Sequence, residues 1–191
     1  MRIAAATLLA LGVLTVAAAT PTAGSPALAH AVLDIGDSLS IGTEPYLRRR
    51  LPGYRIDEVH DVGLHAYDAA TIVAARSASL PPVVVVSAGT NDDPRIVSTF
   101  IRSISRVLDA AGTSRCVVWP SIVRPPAVGA TYRGLNRALA TADARHSNLL
   151  VVDWVRIVRR HPGWLGADGV HVTAAGYRAR AAAIAAAVSH C

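Results

Sequence analysis

Along the chain, apolar residues gather into two alternating kinds of segment. Short runs dominated by Val, Ile and Leu occur at residues 31–35, 83–88, 116–119 and 149–153, each stopped by Gly, Pro, Asp or Ser, as in buried parallel strands. A fifth run, 54–59, mixes Tyr54, Ile56 and Val59 with charges and predicts an edge strand. Longer amphipathic stretches at 43–51, 67–79, 94–111, 132–146 and 173–188 predict helices. In the third of these, Ile96, Phe100, Ile101, Ile104, Val107 and Leu108 recur at helical spacing, and Gly112 supplies the stop. Strand and helix in alternation predict an α/β domain in which a five-stranded parallel sheet carries helices on both faces. The Pro-rich piece 120–130 reads as an ordered loop behind the fourth strand.

One apolar stretch falls outside the alternation. From Ile3 to Ala19 there is no charge; Arg2 precedes the stretch, and Ala27-Leu28-Ala29 follows as a small-residue site. This layout predicts a secretory signal peptide over 1–29, cleaved after Ala29, leaving one domain over 30–191 with no stable membrane insertion. The alternative is an uncleaved anchor, because about 17 apolar residues lie at the lower edge of what spans a bilayer. Export bears on the two cysteines, Cys116 in a strand-like run and Cys191 at the last position. In an oxidising compartment an even count predicts one disulfide, Cys116–Cys191, with two free thiols as the alternative.

The net charge of +6 comes with nineteen basic residues, all of them Arg. The blocks Arg48-Arg49-Arg50 and Arg159-Arg160 are short, lack interleaved aromatics and fall at predicted helix ends. They read as solvated termini complementing the helix dipole, so no nucleic-acid partner is expected. His30, His60, His146, His161 and His190 show no zinc spacing, and no Gly-rich phosphate loop is present. Neither a metal nor a cofactor is expected.

Open α/β sheets bind ligands beyond the carboxyl ends of their strands. Those positions hold Gly36-Asp37-Ser38-Leu39-Ser40, Val62-Gly63, Gly89-Thr90-Asn91-Asp92 and Pro120-Ser121, while Asp168 and His171 precede the last helix. A serine hydroxyl needs a neighbouring base to attack a carbonyl, and His171 is the candidate for Ser38. Asp168, three residues earlier, can hold the other imidazole nitrogen. Acyl transfer also needs donors aimed at the developing oxyanion, here the Ser38 amide, the Gly63 amide and the Asn91 side chain. Asp37 reads as shaping its own turn and Asp92 as capping the helix that follows it. Asp153, at a strand end, competes with Asp168 for the orienting role.

These blocks, in this order and at these distances, resemble the SGNH hydrolases, also called the GDSL esterase and lipase family, over residues 32–177. The resemblance implies a flavodoxin-like three-layer α/β/α sandwich, with Ser38 as nucleophile, His171 as base and Asp168 as orienting acid. It also implies an oxyanion hole of Ser38, Gly63 and Asn91. Two departures stand out: Val172-Thr173 occupies the place where Pro often follows the catalytic histidine by one position, and Gly63 lies in Asp61-Val62-Gly63-Leu64-His65 rather than among small polar residues. No G-x-S-x-G is present, which argues against an α/β-hydrolase.

The last third, Leu150-Val151-Val152-Asp153-Trp154 and then Gly163 through His171, resembles the catalytic domains of bacterial peptidoglycan O-acetyltransferases and related cell-wall O-acetylesterases. The expectation is a secreted, monomeric serine esterase acting on a small-molecule or glycan ester, with short acyl groups such as carbohydrate O-acetyl favoured. Transfer to a sugar hydroxyl is one alternative, and a non-catalytic cell-surface binding protein is another. Trp119, Trp164 and Tyr132 either line an acceptor site or belong to the core.

Overall fold

Strand β1 (Ala31–Gly36) is buried along its whole length and lies inside the sheet, with a strand on either side. The computed structural model describes residues 30–191, so the predicted export segment lies outside the described residues. β1 is followed by α1 (Ser38–Arg50), β2 (Arg55–His60), α2 (Ala66–Ala75), β3 (Val83–Ser87), α3 (Val97–Ala111) and β4 (Cys116–Pro120). Then come α4 (Arg133–Asp143), β5 (Leu149–Val152), α5 (Trp154–Arg159) and α6 (Ala174–Ser189). The strands are ordered β2-β1-β3-β4-β5 and every pairing is parallel, with Val32 opposite Ile56 on one side and Val83 on the other. This is the order of a flavodoxin-like doubly wound sheet.

Successive strand residues point to opposite faces, which sorts the core into two layers. Leu33, Ile35, Val84, Val86, Val117 and Trp119 pack with α2, α3 and α4. Val32, Val83, Val85 and Val118 pack with Leu47 of α1 and Ala181, Ile184 and Val188 of α6. The charged strand predicted as an edge, β2, is an edge.

The helix bounds differ from expectation in instructive ways. α1 begins at Ser38 rather than 43, because the Asp37 side chain caps it by accepting the Leu39 N–H at 2.9 Å. α5 was hidden because its apolar residues continue the β5 run without a break; Asp153 marks the join, accepting the Arg156 N–H at 3.0 Å as a cap. Arg48, Arg49 and Arg50 fill the last turn of α1, and Arg159 ends α5, as the dipole argument requires.

Cys116 and Cys191 form a disulfide, Cα–Cα 5.7 Å, tying the start of β4 to the end of α6 across 75 residues of sequence. Closing a loop of that length restricts the unfolded chain by about 4 kcal/mol. Reduction, or Cys116→Ser with Cys191→Ser, should therefore lower the thermal midpoint by about 10 °C. A melt unchanged by reductant, with two thiols titrating in the unreduced unfolded protein, would contradict the bridge.

Candidate active site

The turn out of β1 is crowded. Gly36 ends the strand where a methyl group would lie 2.7 Å from the Ser87 carbonyl oxygen and closer still to Ser40 Oγ, so only glycine fits without a shift. The Asp37 N–H then donates to the Ser87 carbonyl at 3.2 Å, and the Asp37 carbonyl accepts from Ser40 N at 2.9 Å, starting α1. Ser38 thereby stands in the first turn of a helix at the carboxyl end of an inner strand, and its own N–H has no partner among the described residues, as first-turn amides do not.

Ser38 Oγ is 2.8 Å from His171 Nε2, and His171 Nδ1 is 2.6 Å from Asp168 Oδ2. The other Asp168 oxygen, Oδ1, accepts the backbone N–H groups of Val170 and His171, both at 3.0 Å. One carboxylate thus folds the 168–171 loop and orients the imidazole. The hydrogen bond from His171, followed by that from the Val170 amide, holds the Asp168 carboxyl down at about 2 although it is solvent-exposed. Asp153, the competing acid, is committed to Arg156, with an ion pair at 3.4 Å, and takes no part.

Asn91 follows β3. Its Nδ2 lies 3.3 Å from Asp37 Oδ2 and 3.4 Å from the Leu64 carbonyl, long contacts that leave the amide group at the mouth of the same cavity as Ser38. Gly63 sits in the turn between β2 and α2 with φ +82°, a conformation that favours glycine, and its N–H has no partner among the described residues. The turn is joined to Asn91 through Leu64, one residue on, but Gly63 does not line the cavity. Of the predicted residues, then, Ser38, Asp168, His171 and Asn91 share one cavity of about 330 Å³, and Gly63 stands beside it. A larger groove of about 480 Å³ between α3 and α4 contains no nucleophile paired with a base.

Several polar residues differ from their sequence readings or had none. Asp92 does not cap the helix after it; its Oδ2 accepts from Ala66 N at 2.9 Å and so caps α2, a neighbour in space. Burial pushes the Asp92 carboxyl up, opposed by that amide bond. Asp37 reaches beyond its own turn to Asn91, and burial raises it likewise, with the Leu39 N–H and the positive charge of Arg180 pulling the other way. Arg180, buried on α6, donates from Nη2 to Ser87 Oγ at 2.6 Å and lies over the Trp154 ring. Arg124 was also missed: it lies in the Pro-rich 120–130 loop, donates to the Thr90 carbonyl at 2.6 Å and to Asn91 Oδ1 at 3.1 Å, and lines the cavity. Its position just beyond a strand end was the available signal.

Two of the three aromatic residues considered for an acceptor site are core. Trp119 is fully buried, edge-on to Phe100, and donates from Nε1 to the Ala88 carbonyl; Tyr132 is buried with its hydroxyl on the Asp92 carbonyl. Trp164 is half-buried and stacks on His161 at 4.0 Å.

Comparison with known proteins places these features. The model of a GDSL-like Lipase/Acylhydrolase family matches residues 35–179. O-acetyltransferase OatA of Staphylococcus aureus (strain NCTC 8325 / PS 47) is 29% identical over 150 residues, covering 76% of this chain and 23% of that protein. The chain therefore spans about a quarter of the length of the curated relatives it matches. Among solved structures, the C-terminal catalytic domain of Streptococcus pneumoniae peptidoglycan O-acetyltransferase A, with a methylsulfonyl adduct, superposes at TM-score 0.64 with 21% identity, covering 84% of this chain and 90% of that one. A GDSL-like lipase from Bacteroides thetaiotaomicron superposes at 0.66 with 19% identity, covering 85% and 89%. At those identities the superpositions show a common fold.

Two measurements test the geometry. Following the Asp168 carboxyl carbon by NMR as pH falls should give a midpoint near 2, the carboxylate staying charged through pH 3 and its hold on the loop being lost only below that; a midpoint near 4 would mean the His171 bond is absent. Gly36→Ala should lower stability by about 1–3 kcal/mol in denaturant titration through overpacking against Ser40 and Ser87.

Proposed function

The chain belongs to the GDSL-like lipase and acylhydrolase family, and from that premise we propose that it is an extracytoplasmic serine esterase that removes short acyl groups, carbohydrate O-acetyl groups among them. The observation that carries this reading is the continuous run of contacts Ser38 Oγ to His171 Nε2 and His171 Nδ1 to Asp168 Oδ2. In the proposed cycle His171 takes the Ser38 proton as the hydroxyl oxygen attacks the ester carbonyl, then gives it to the departing alcohol. Water, deprotonated by the same imidazole, attacks the acyl-Ser38 carbonyl and the acid leaves. Asp168 keeps the proton on Nδ1 so that Nε2 is free to accept, and its charge stabilises the imidazolium that forms.

The oxyanion is assigned to the N–H groups of Ser38 and Gly63, which have no partner among the described residues, and to Asn91 Nδ2, donors that follow three different strands. Short acyl groups are supported by the size of the cavity, which lies at the small end for ligand sites, and by its wall of Pro125, Pro126 and Ala127. An extracytoplasmic location is supported by the disulfide. A second reading, O-acetyl transfer, is favoured by the names of the O-acetyltransferases to which the chain is similar; it differs only in that a sugar hydroxyl, not water, takes the acyl group from Ser38.

With 4-nitrophenyl acetate, Ser38→Ala should cost at least about 10³-fold in kcat, and Asn91→Ala about 10²–10³-fold. Turnover by Ser38→Ala equal to that of the unaltered protein would remove the acyl-enzyme reading. Increasing the acyl length to dodecanoyl should lower kcat/KM; a rise would exclude the short-acyl assignment. Adding a glycan acceptor separates the two fates: acetylated glycan accumulating faster than free acetate marks transfer.

A further inference from the structure

Arg124 stands in the cavity with a guanidinium only half committed. Nη1 donates its two N–H groups, one to the Thr90 carbonyl at 2.6 Å and one to Asn91 Oδ1 at 3.1 Å. Nε and Nη2 have no protein partner among the described residues, and neither is among the buried unpartnered atoms, so both reach solvent. No carboxylate of the described residues lies within ion-pair distance of Arg124. Among the described residues the only acid lining the cavity, Asp168, is already held by His171 and two backbone amides. The loop that carries Arg124 is fixed against the acid–base loop, for a methyl group on Gly169 would lie 2.7 Å from Pro125 Cγ.

The Nε and Nη2 edge of a guanidinium matches the two oxygens of a carboxylate, and Arg presents it as a rigid fork. Here that edge belongs to a side chain that lines the same cavity as Ser38, and the bonds on Nη1 anchor it. The same Nη1 bond occupies Asn91 Oδ1, which leaves Nδ2 as the donor end of that amide. We infer that Arg124 is the specificity-determining residue of the site, selecting esters that bear a carboxylate near the scissile bond, and that through Asn91 it is also a positioning residue for the oxyanion. This rests on the esterase reading above and adds the chemical class of the substrate.

The test pairs 3- and 4-carboxyphenyl acetate with the matching carboxamides, each rate normalised to hydroxide-catalysed hydrolysis. The unaltered protein should favour a carboxylate by about 10-fold or more in kcat/KM, mainly through KM, and the preference should shrink as salt rises. Arg124→Met should abolish the preference and also lower kcat on the carboxamides by about 10-fold through the loosened Asn91. Arg124→Lys should keep a reduced, more salt-sensitive preference. Equal kcat/KM for carboxylates and carboxamides in the unaltered protein, or a preference surviving in Arg124→Met, would overturn the inference while leaving the esterase reading intact. Failure of the unaltered protein to hydrolyse any of these esters would overturn both. Thermal melts of the variants guard against misfolding, and a folded Arg124→Met with unchanged kinetics on both kinds of ester counts against the assignment.

Discussion

The site depends on one buried carboxylate, that of Asp37. Its Oδ1 receives the Leu39 N–H and so starts the helix that carries Ser38; its Oδ2 faces Asn91 Nδ2, 54 residues further along the chain. Two strand ends are thereby held in fixed relation by the two oxygens of a single group. Removing such a group from water is unfavourable, and the upward push on its carboxyl records that cost. The Leu39 amide and the buried positive charge of Arg180 oppose the push, which gives a physical reason for an arginine on the inner face of α6, beneath the sheet's carboxyl end. A charged residue in that layer would otherwise be hard to reconcile with neighbours such as Ile184 and Ala181.

The parallel character of the sheet and the edge position of β2 were legible in the sequence because parallel strands buried on both faces produce uninterrupted Val runs, whereas an edge tolerates the charges of Arg55, Asp57 and Glu58; β5, the other edge, is as apolar as an inner strand and gave no such signal. Ser38, Asp168, His171 and Asn91 were legible because each stands within a few residues of a strand or helix boundary. What stayed hidden depends on partners distant in sequence. Asp92 caps a helix that begins 26 residues before it, and Arg124 acquires its role only when its loop meets the β3 end. The start of α1 was misplaced for a different reason. Gly42 argues locally against a helix, yet the Asp37 cap and the packing of Gly42 against Tyr177 of α6 override it.

The site is divided between a rigid half and an exposed half. Ser38, Asp37 and Asn91 belong to turns braced by the two core layers, while Asp168 and His171 lie on a solvent-exposed loop. That loop needs internal bracing, and Asp168 provides it by giving one oxygen to the backbone and the other to the imidazole. The same carboxylate therefore ties loop shape and imidazole orientation together.

The division also bears on which molecule receives the acyl group. In the proposed cycle the carbonyl oxygen lies on the braced side, whereas on the open side the imidazole assigned to activate the second nucleophile is half-exposed, at 48%. An imidazole so exposed is open to water, so the proposed hydrolysis would need no further device. A sugar hydroxyl competes with water at that imidazole only if the rest of the glycan is held in place by contacts that outweigh the concentration advantage of water. Among the residues of the cavity, the open edge of Arg124 is the group chemically able to make such a contact with an acidic glycan. On the proposed mechanism the balance between esterase and transferase chemistry turns less on Ser38, His171 and Asp168, which would serve both, than on how firmly this arginine and the adjoining surface would retain an acceptor.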